Sequence, residues 1–364
     1  MSVTIISKDP LRAAVEGASG GRQTVLYDAN GIPQYMTVIP KMRIEDIYPG
    51  VGLTGTHPAY IVNGVEKSEI LIGTYMASKQ GNYCASLPNM DPYVNINFDE
   101  ALALCRLMGP NWHLMTNAEW AALQGLALVA DFQPRGNTYW GQHHELKHET
   151  GVLTPGNSGL GVKNDSLHGR TYTGSGPQSW RHDNTPFGAA DLVGNSWEWV
   201  GGMRINAGEI QVIKDNDAAL SSCNMTASST EWKAMLQNGT LVTPGTANTL
   251  KYDAVGANGT GAVTINTVVS SALTDESNGA GVNYRDMQAK SGVTVPALAK
   301  ILGLYPSDTS KPLGYFYLRN SNERLPIRGG DYADAGTAGL FALSLYDRRT
   351  TRNRYVGFRP AFFS

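Results

Sequence analysis

The stretch Asn184-Thr-Pro-Phe-Gly-Ala-Ala-Asp-Leu-Val-Gly-Asn-Ser-Trp-Glu-Trp199 holds two glycines, two carboxylates and two tryptophans within 16 residues. Such density reads as a tightly turned core segment. Gly188 and Gly194 open backbone conformations closed to other residues, and Trp197 and Trp199 then alternate on a short strand with Glu198 facing the other way. Asp191, Asn195 and Glu198 together offer oxygen ligands that would suit a structural calcium ion. Hydrogen bonds to loop N–H groups would satisfy them equally well, and that structural reading is preferred.

Upstream of this stretch the sequence punctuates two helices. In Asn97-Phe-Asp-Glu-Ala-Leu-Ala-Leu-Cys-Arg-Leu-Met-Gly109, Asn97 can cap the free N–H groups, Asp99 and Glu100 suit the positive end of the dipole, and Gly109 stops the helix. Phe98, Leu102, Cys105 and Met108 then share one buried face. Next, Thr116-Asn-Ala-Glu119 before Trp120-Ala-Ala-Leu-Gln-Gly125 is a capping box, in which Thr116 and Glu119 satisfy each other's backbone donors. Residues 59–75 place Asn63-Gly64 between apolar runs and predict a hairpin.

Further out, residues 24–27 and 35–39 predict two short strands around the turn Asp28-Ala29-Asn30-Gly31. Residues 1–55 thus read as a small β-rich appendage for attachment or oligomerisation, with a boundary inside 49–58 and the main domain spanning 56–364. From about 205 to 320 the composition shifts to Ala, Ser, Thr, Asn and Gly, with a helical reading at 229–236 and a strand at 262–269. This segment predicts an inserted subdomain, and no fixed-period repeat marks it.

The 364 residues carry a net charge of -2, with 41% hydrophobic residues. A disordered chain is excluded, and nothing in the overall charge attracts nucleic acid or an anionic membrane. No apolar run approaches the roughly 20 residues of a membrane helix, and the opening residues have no apolar signal core, so synthesis in a cytoplasm without membrane insertion is expected. Forty-one glycines and 18 prolines predict tight turns and irregular loops. Cys84, Cys105 and Cys223 are odd in number and widely spaced, which reads as buried free thiols. His144-Glu145-Leu146-Lys147-His148 fits a zinc template, yet its flanks Gly141 and Thr150-Gly151 leave room for only a very short helix, so a metalloprotease is set aside.

At the C-terminal end, Leu325-Pro-Ile-Arg-Gly-Gly330, Gly339-Leu-Phe-Ala-Leu-Ser-Leu345 and Val356-Gly-Phe-Arg-Pro-Ala-Phe362 are apolar and glycine-rich. The polar and aromatic residues between them have no period of their own. That contrast predicts surface loops carried on a rigid frame.

Asn95-Ile-Asn-Phe-Asp-Glu-Ala, His113-Leu-Met-Thr-Asn-Ala-Glu-Trp120, the stretch from Phe187 to Trp199, Arg328-Gly-Gly330 and Gly357-Phe-Arg359 follow one another in a familiar order. The chain resembles the formylglycine-generating enzyme and sulfatase-modifying-factor family across about 57–200 and 325–363. The fold implied is α+β: a C-type lectin fold with a large insertion. The enzymes of that family resemble one another in a pair of redox-active cysteines near the C-terminal end, and this chain has no cysteine after Cys223. Thiol-dependent oxygen chemistry is therefore rejected, an oxidoreductase of this type is kept as the alternative, and no cofactor is expected.

Residues 328–359 are similar to the variable region of retroelement-diversified proteins, among which the phage major tropism determinant is similar in function. In such proteins adenine-specific copying rewrites asparagine codons of a template. Randomising the adenines of those codons cannot produce Lys, Glu, Gln, Met or Trp. These five make up 53 of the 364 residues, and the 25 residues 331–355 contain none of them. The resemblance implies that Asp331, Ala333, Asp334, Thr337, Ser344, Tyr346, Asp347, Thr351, Arg354 and Tyr355 are variable, ligand-binding positions, solvent-accessible on one face. Gly329, Gly330, Gly339, Phe341, Leu343, Gly357 and Phe358 would be frame, with Phe341 and Leu343 inward and Ser344 outward. Tyrosine and arginine suit a recognition surface because both give large contact area with a polar handle.

The resemblance and the missing cysteines together imply a non-enzymatic display protein, a phage tail receptor-binding subunit located in the virion. Its expected partners are a host cell-surface protein or glycan, other virion proteins, and further copies of itself. A host-encoded surface protein with the same display logic is a third reading, disfavoured by the missing signal segment.

Overall fold

The computed structural model describes residues 9–255, 261–274 and 278–364. Strands dominate, and the helices α1 (Pro10–Ser19), α2 (Ile44–Ile47), α3 (Phe98–Leu107), α4 (Asn117–Ala130) and α5 (Ala297–Ile301) are short. The expected capping box at Thr116 forms, and the expected cap at Asn97 proves to be a second one. Asn97 Oδ1 accepts the Glu100 N–H at 3.0 Å and Thr116 Oγ1 accepts the Glu119 N–H at 3.2 Å, while each glutamate returns a bond to its cap's N–H. Phe98, Leu102, Cys105 and Met108 are buried together, as the helical spacing requires.

Five antiparallel strands form one sheet in the order Gln23–Tyr27, Pro33–Pro40, Glu69–Gly73, Pro360–Phe363 and Trp112–Leu114. The turn between the first two is held by Asp28, whose Oδ1 accepts the N–H groups of Asn30 and Ile32 at 2.8 and 3.0 Å. Pro33–Pro40 pairs with Glu69–Gly73 over five residues, from Met36 opposite Gly73 to Pro40 opposite Glu69. The strands read as an appendage are therefore continuous with the body. Ile39, Ile44, Ile47 and Tyr48 join its main core, and the Tyr48 hydroxyl donates to the Ala121 carbonyl of α4 at 2.6 Å. Asn63 and Gly64, both at positive φ, close the expected hairpin Ile61–Val62 with Val65–Glu66.

A six-stranded sheet runs Ala280–Asn283, Tyr315–Leu318, Gly339–Leu345, Ile327–Gly329, Trp197–Trp199 and Val356–Phe358. Its last two strands are parallel neighbours, with Val356 opposite Trp197 and Phe358 opposite Trp199. The C-terminal strands thus pair with both upstream sheets and close the domain. A third sheet is built mostly from 203–289 and is joined to the C-terminal part by Met203–Asn206 pairing with Glu323–Arg324. The insertion is not self-contained, since two of its strands, Ala280–Asn283 and Tyr315–Leu318, extend the six-stranded sheet.

The helix expected at 229–236 does not form. Lys233–Met235 is a strand between Glu209–Val212 and Leu241–Val242, and Trp232 is buried with the Arg204 guanidinium 4.5 Å over its ring. Pairing on two edges outweighs the weak preference of eight residues.

A tyrosine and aspartate cleft on the C-terminal face

The C-terminal face starts from a backbone irregularity. Ladder register shifts between Arg328 and Gly329, and both Gly329 and Gly330 lie at positive φ, +95° and +89°. A Cβ on Gly329 would stand 2.6 Å from the Leu192 carbonyl oxygen, so only glycine lets the chain turn here against the 184–199 stretch. The loop that leaves this bulge folds on its own carboxylates: Asp334 Oδ2 accepts the Asp331 N–H at 2.8 Å, and Asp331 Oδ1 accepts the Ala333 N–H at 2.6 Å.

Helix α4 holds the frame beneath. Trp120 Nε1 and Gln124 Nε2 both donate to the Leu340 carbonyl, at 2.8 and 3.0 Å, and Asn117 Oδ1 accepts from the buried Arg328 guanidinium at 2.6 Å. The capping box read in sequence therefore fixes the helix whose side chains clamp Ile327–Gly329 and Gly339–Leu345.

Between loop and strand lies a cleft of about 350 Å³, lined by Trp197, Tyr317, Arg319, Ile327, Asp331, Asp334, Ser344, Tyr346, Asp347, Asn353 and Tyr355. Its aromatic wall is continuous. Ring centroids of Trp197 and Tyr317 are 6.0 Å apart, those of Tyr317 and Tyr346 5.6 Å, and those of Tyr315 and Tyr317 4.7 Å. The Arg319 guanidinium lies 4.6 Å over the Tyr346 ring. Burial pushes the carboxyls of Asp334 and Asp347 up to about 6; Asp331 is pushed well up by burial and then by Asp334 beside it. Burial and then Asp334 raise the Tyr317 hydroxyl to about 12.

Six of the ten residues expected to vary, Asp331, Asp334, Ser344, Tyr346, Asp347 and Tyr355, line this cleft. Ala333 and Thr337 sit on the same loop, where Thr337 Oγ1 meets the Tyr317 hydroxyl at 3.0 Å. Thr351 and Arg354 lie on the rim: Thr351 Oγ1 accepts the Arg348 N–H at 3.1 Å, and Arg354 donates to the Asp165 carbonyl. Arg349 ties this rim to Glu323 and to Asp99 at the start of α3.

Exposure departs from expectation at two positions. Asp331 is only 6% exposed and Ser344 only 4%, and every residue of Gly339–Leu345 is buried. That strand is flanked on both edges, and Tyr317 and Tyr346 stand over its polar side, so Ser344 faces the cleft floor instead of bulk solvent. Phe341, Leu343 and Phe358 are buried as expected. Trp197, Tyr317, Arg319, Ile327 and Asn353 line the cleft although the sequence did not mark them as ligand-binding. The alternating Tyr315-Phe-Tyr-Leu318 was a strand signal within the insertion, and Asn353 lies inside the stretch expected to vary.

The remaining candidates are held by other partners. Glu198 pairs with Arg359 at 2.6 Å, Asn195 Oδ1 accepts the Thr171 N–H at 2.8 Å, and Asp191 Oδ2 accepts the Gly174 N–H at 2.7 Å. Asp191 Oδ1 is buried without a partner. His143 Nδ1 accepts the N–H groups of Glu145 and Leu146 in a turn, and His144 Nδ1 meets Thr138 Oγ1 at 2.9 Å, so no zinc-binding helix forms there. Among the described residues no group of three His, Cys, Asp or Glu side chains is placed to hold a metal. Cys84, Cys105 and Cys223 are free and buried, and burial raises the thiols of Cys105 and Cys223. No described helix is long and apolar enough to cross a membrane.

No sequence among curated proteins matches the chain. Among solved structures it is similar to Treponema denticola variable protein 1, at 12% identity and a TM-score of 0.34, covering 94% of this chain and 99% of that one. Residues 60–237 match the sulfatase-modifying factor enzyme 1-like domain. With its helices, its Trp197–Trp199 strand and its C-terminal pairing in these places, the chain has an α+β fold, and the domain matched over 60–237 is consistent with a C-type lectin-like fold.

Proposed function

We propose that this is a non-enzymatic ligand-display protein whose C-terminal face binds a partner on a target cell. One observation carries the reading. The stretch that lacks Lys, Glu, Gln, Met and Trp supplies seven of the eleven residues that line the cleft, while Trp120 and Gln124, which hold its backbone at Leu340, lie far outside it in sequence. Side chains on such a surface can be exchanged without repacking the frame. The finer proposal is a phage tail tropism determinant in the virion, bound to other virion proteins, self-associating, and directed at a host-surface protein or glycan. Several copies on one particle would raise weak single contacts to useful avidity.

The oxidoreductase alternative is less well supported. No cysteine lines the cleft, and burial holds the thiols of Cys105 and Cys223 in their unreactive protonated form.

Sequencing sibling copies of the gene tests the reading. Differences should concentrate at codons for Asp331, Ala333, Asp334, Thr337, Ser344, Tyr346, Asp347, Thr351, Arg354 and Tyr355, with Gly329, Gly330, Gly339, Phe341 and Phe358 constant. A near-copy of residues 328–359 should lie beside a reverse transcriptase gene. Differences spread evenly along the chain, with no such template nearby, would overturn it.

A further inference from the structure

The display reading leaves the chemistry of the bound group open, and the cleft walls narrow it. One side is aromatic, with Trp197, Tyr317, Tyr346 and Tyr355. Against that aromatic side stand Asp331 and Asp334, with Trp197 and Tyr317 close to Asp334; a backbone bond ties the two aspartates together, and they form no ion pair among the described residues. Asp331 is the telling group. It is 94% buried, its Oδ1 is taken by the Ala333 N–H, and its Oδ2 has no hydrogen-bond donor among the described residues although the side chain lines the cleft. That second oxygen is open to the cleft, where an arriving donor can bond to it. The same cleft already holds one guanidinium over one ring, that of Arg319 over Tyr346.

We infer that the cleft receives a single organic cation of the size of an arginine or lysine side chain, its charge meeting Asp331 and Asp334 and its body lying against the aromatic wall. Aromatic faces and carboxylates both attract a cation, and a desolvated site strengthens both. This rests on the display reading and names the chemistry of the group displayed to it.

The charged and titratable groups facing the two carboxyls are each other, Arg354, and the hydroxyls of Tyr317, Tyr332 and Tyr355, while Arg319 and Arg324 face Asp347. Burial favours the protonated carboxyls in the empty cleft, so binding a cation should release protons, and affinity should rise between pH 5 and pH 8.

The test is titration of the full chain, followed by tryptophan fluorescence, with N-acetyl-arginine methylamide, N-acetyl-lysine methylamide, spermidine and glucosamine. The neutral isostere N-acetyl-citrulline methylamide serves as the comparison. At least one cation should bind about tenfold more tightly than citrulline, and which one does identifies a peptide, polyamine or amino-sugar source. Asp331→Asn should remove that preference while the variant still unfolds in a single cooperative transition, no less stable than the wild type. Should that variant not fold, the rise in wild-type affinity from pH 5 to pH 8 serves in its place. Equal binding of the cations and citrulline, or a flat pH profile, would overturn the inference. If Tyr355→Ala still abolished attachment to target cells, the display reading would stand without it.

Discussion

Asp334 and Asp347 lie at the cleft where water is scarce, and their carboxyls titrate near 6 in the fold against about 3.8 for a free aspartate. The native state therefore holds protons that the unfolded chain has lost, and stability contributed by these groups is present below about pH 4 and lost as pH rises through about 6. Asp347→Asn should consequently raise the melting temperature at pH 8 more than at pH 5. Thermal unfolding at the two values checks this, and an equal shift at both would show that Asp347 does not titrate in this window. Which residues would be chemically interesting was partly legible in the sequence, because the exclusion of five residue types from 331–355 is a local property. Their exposure was not. Asp331 and Ser344 are buried by Tyr317, Tyr346 and the rim, partners that lie elsewhere in the chain or depend on how strands pair.

Among the elements, α4 was readable because its capping box is written in four consecutive residues, Thr116 to Glu119, and α3 because Asn97 caps it and Asp99 and Glu100 suit its first turn; the return bond from Glu100 was not read. Lys233–Met235 was not readable, since its partners Glu209–Val212 and Leu241–Val242 decide its form. The Arg328-Gly329-Gly330 turn lies between these cases. Its glycines were legible as frame, but the bulge and the approach to Leu192 are tertiary facts. Alanine at Gly329 must accept positive φ and push its Cβ against a main-chain oxygen 2.6 Å away. Gly329→Ala should therefore cost about 1–3 kcal/mol, measured by urea denaturation. It should also weaken ligand binding, because the displaced turn carries Asp331 and Asp334. A loss under about 0.5 kcal/mol, the range of ordinary surface changes, would mean the turn relaxes freely.

At the scale of the molecule, one ion pair connects the sheets. Arg359 comes after the strand Val356–Phe358 and precedes Pro360–Phe363, so it stands where the chain passes from the six-stranded to the five-stranded sheet. Its guanidinium reaches Glu198 at 2.6 and 3.0 Å, the Gly73 carbonyl at 2.8 Å and the Ala190 carbonyl at 2.8 Å. Both charges are fully buried, and burial raises the Glu198 carboxyl while Arg359 opposes the rise. Each partner therefore offsets the cost of the other's buried charge. Arg359→Met leaves a carboxylate and two carbonyls without donors in a dry interior, which should cost about 3–5 kcal/mol, a large part of the roughly 5–15 kcal/mol that holds a typical domain. Glu198→Gln added to Arg359→Met removes the stranded charge and should return part of that loss, since the penalty comes mainly from the uncompensated ion. Urea denaturation of the two single variants and the double variant measures this coupling. If Arg359→Met cost under about 1 kcal/mol, or the double variant were the sum of the singles, the junction would be held by apolar packing alone and Arg359 would be incidental to it.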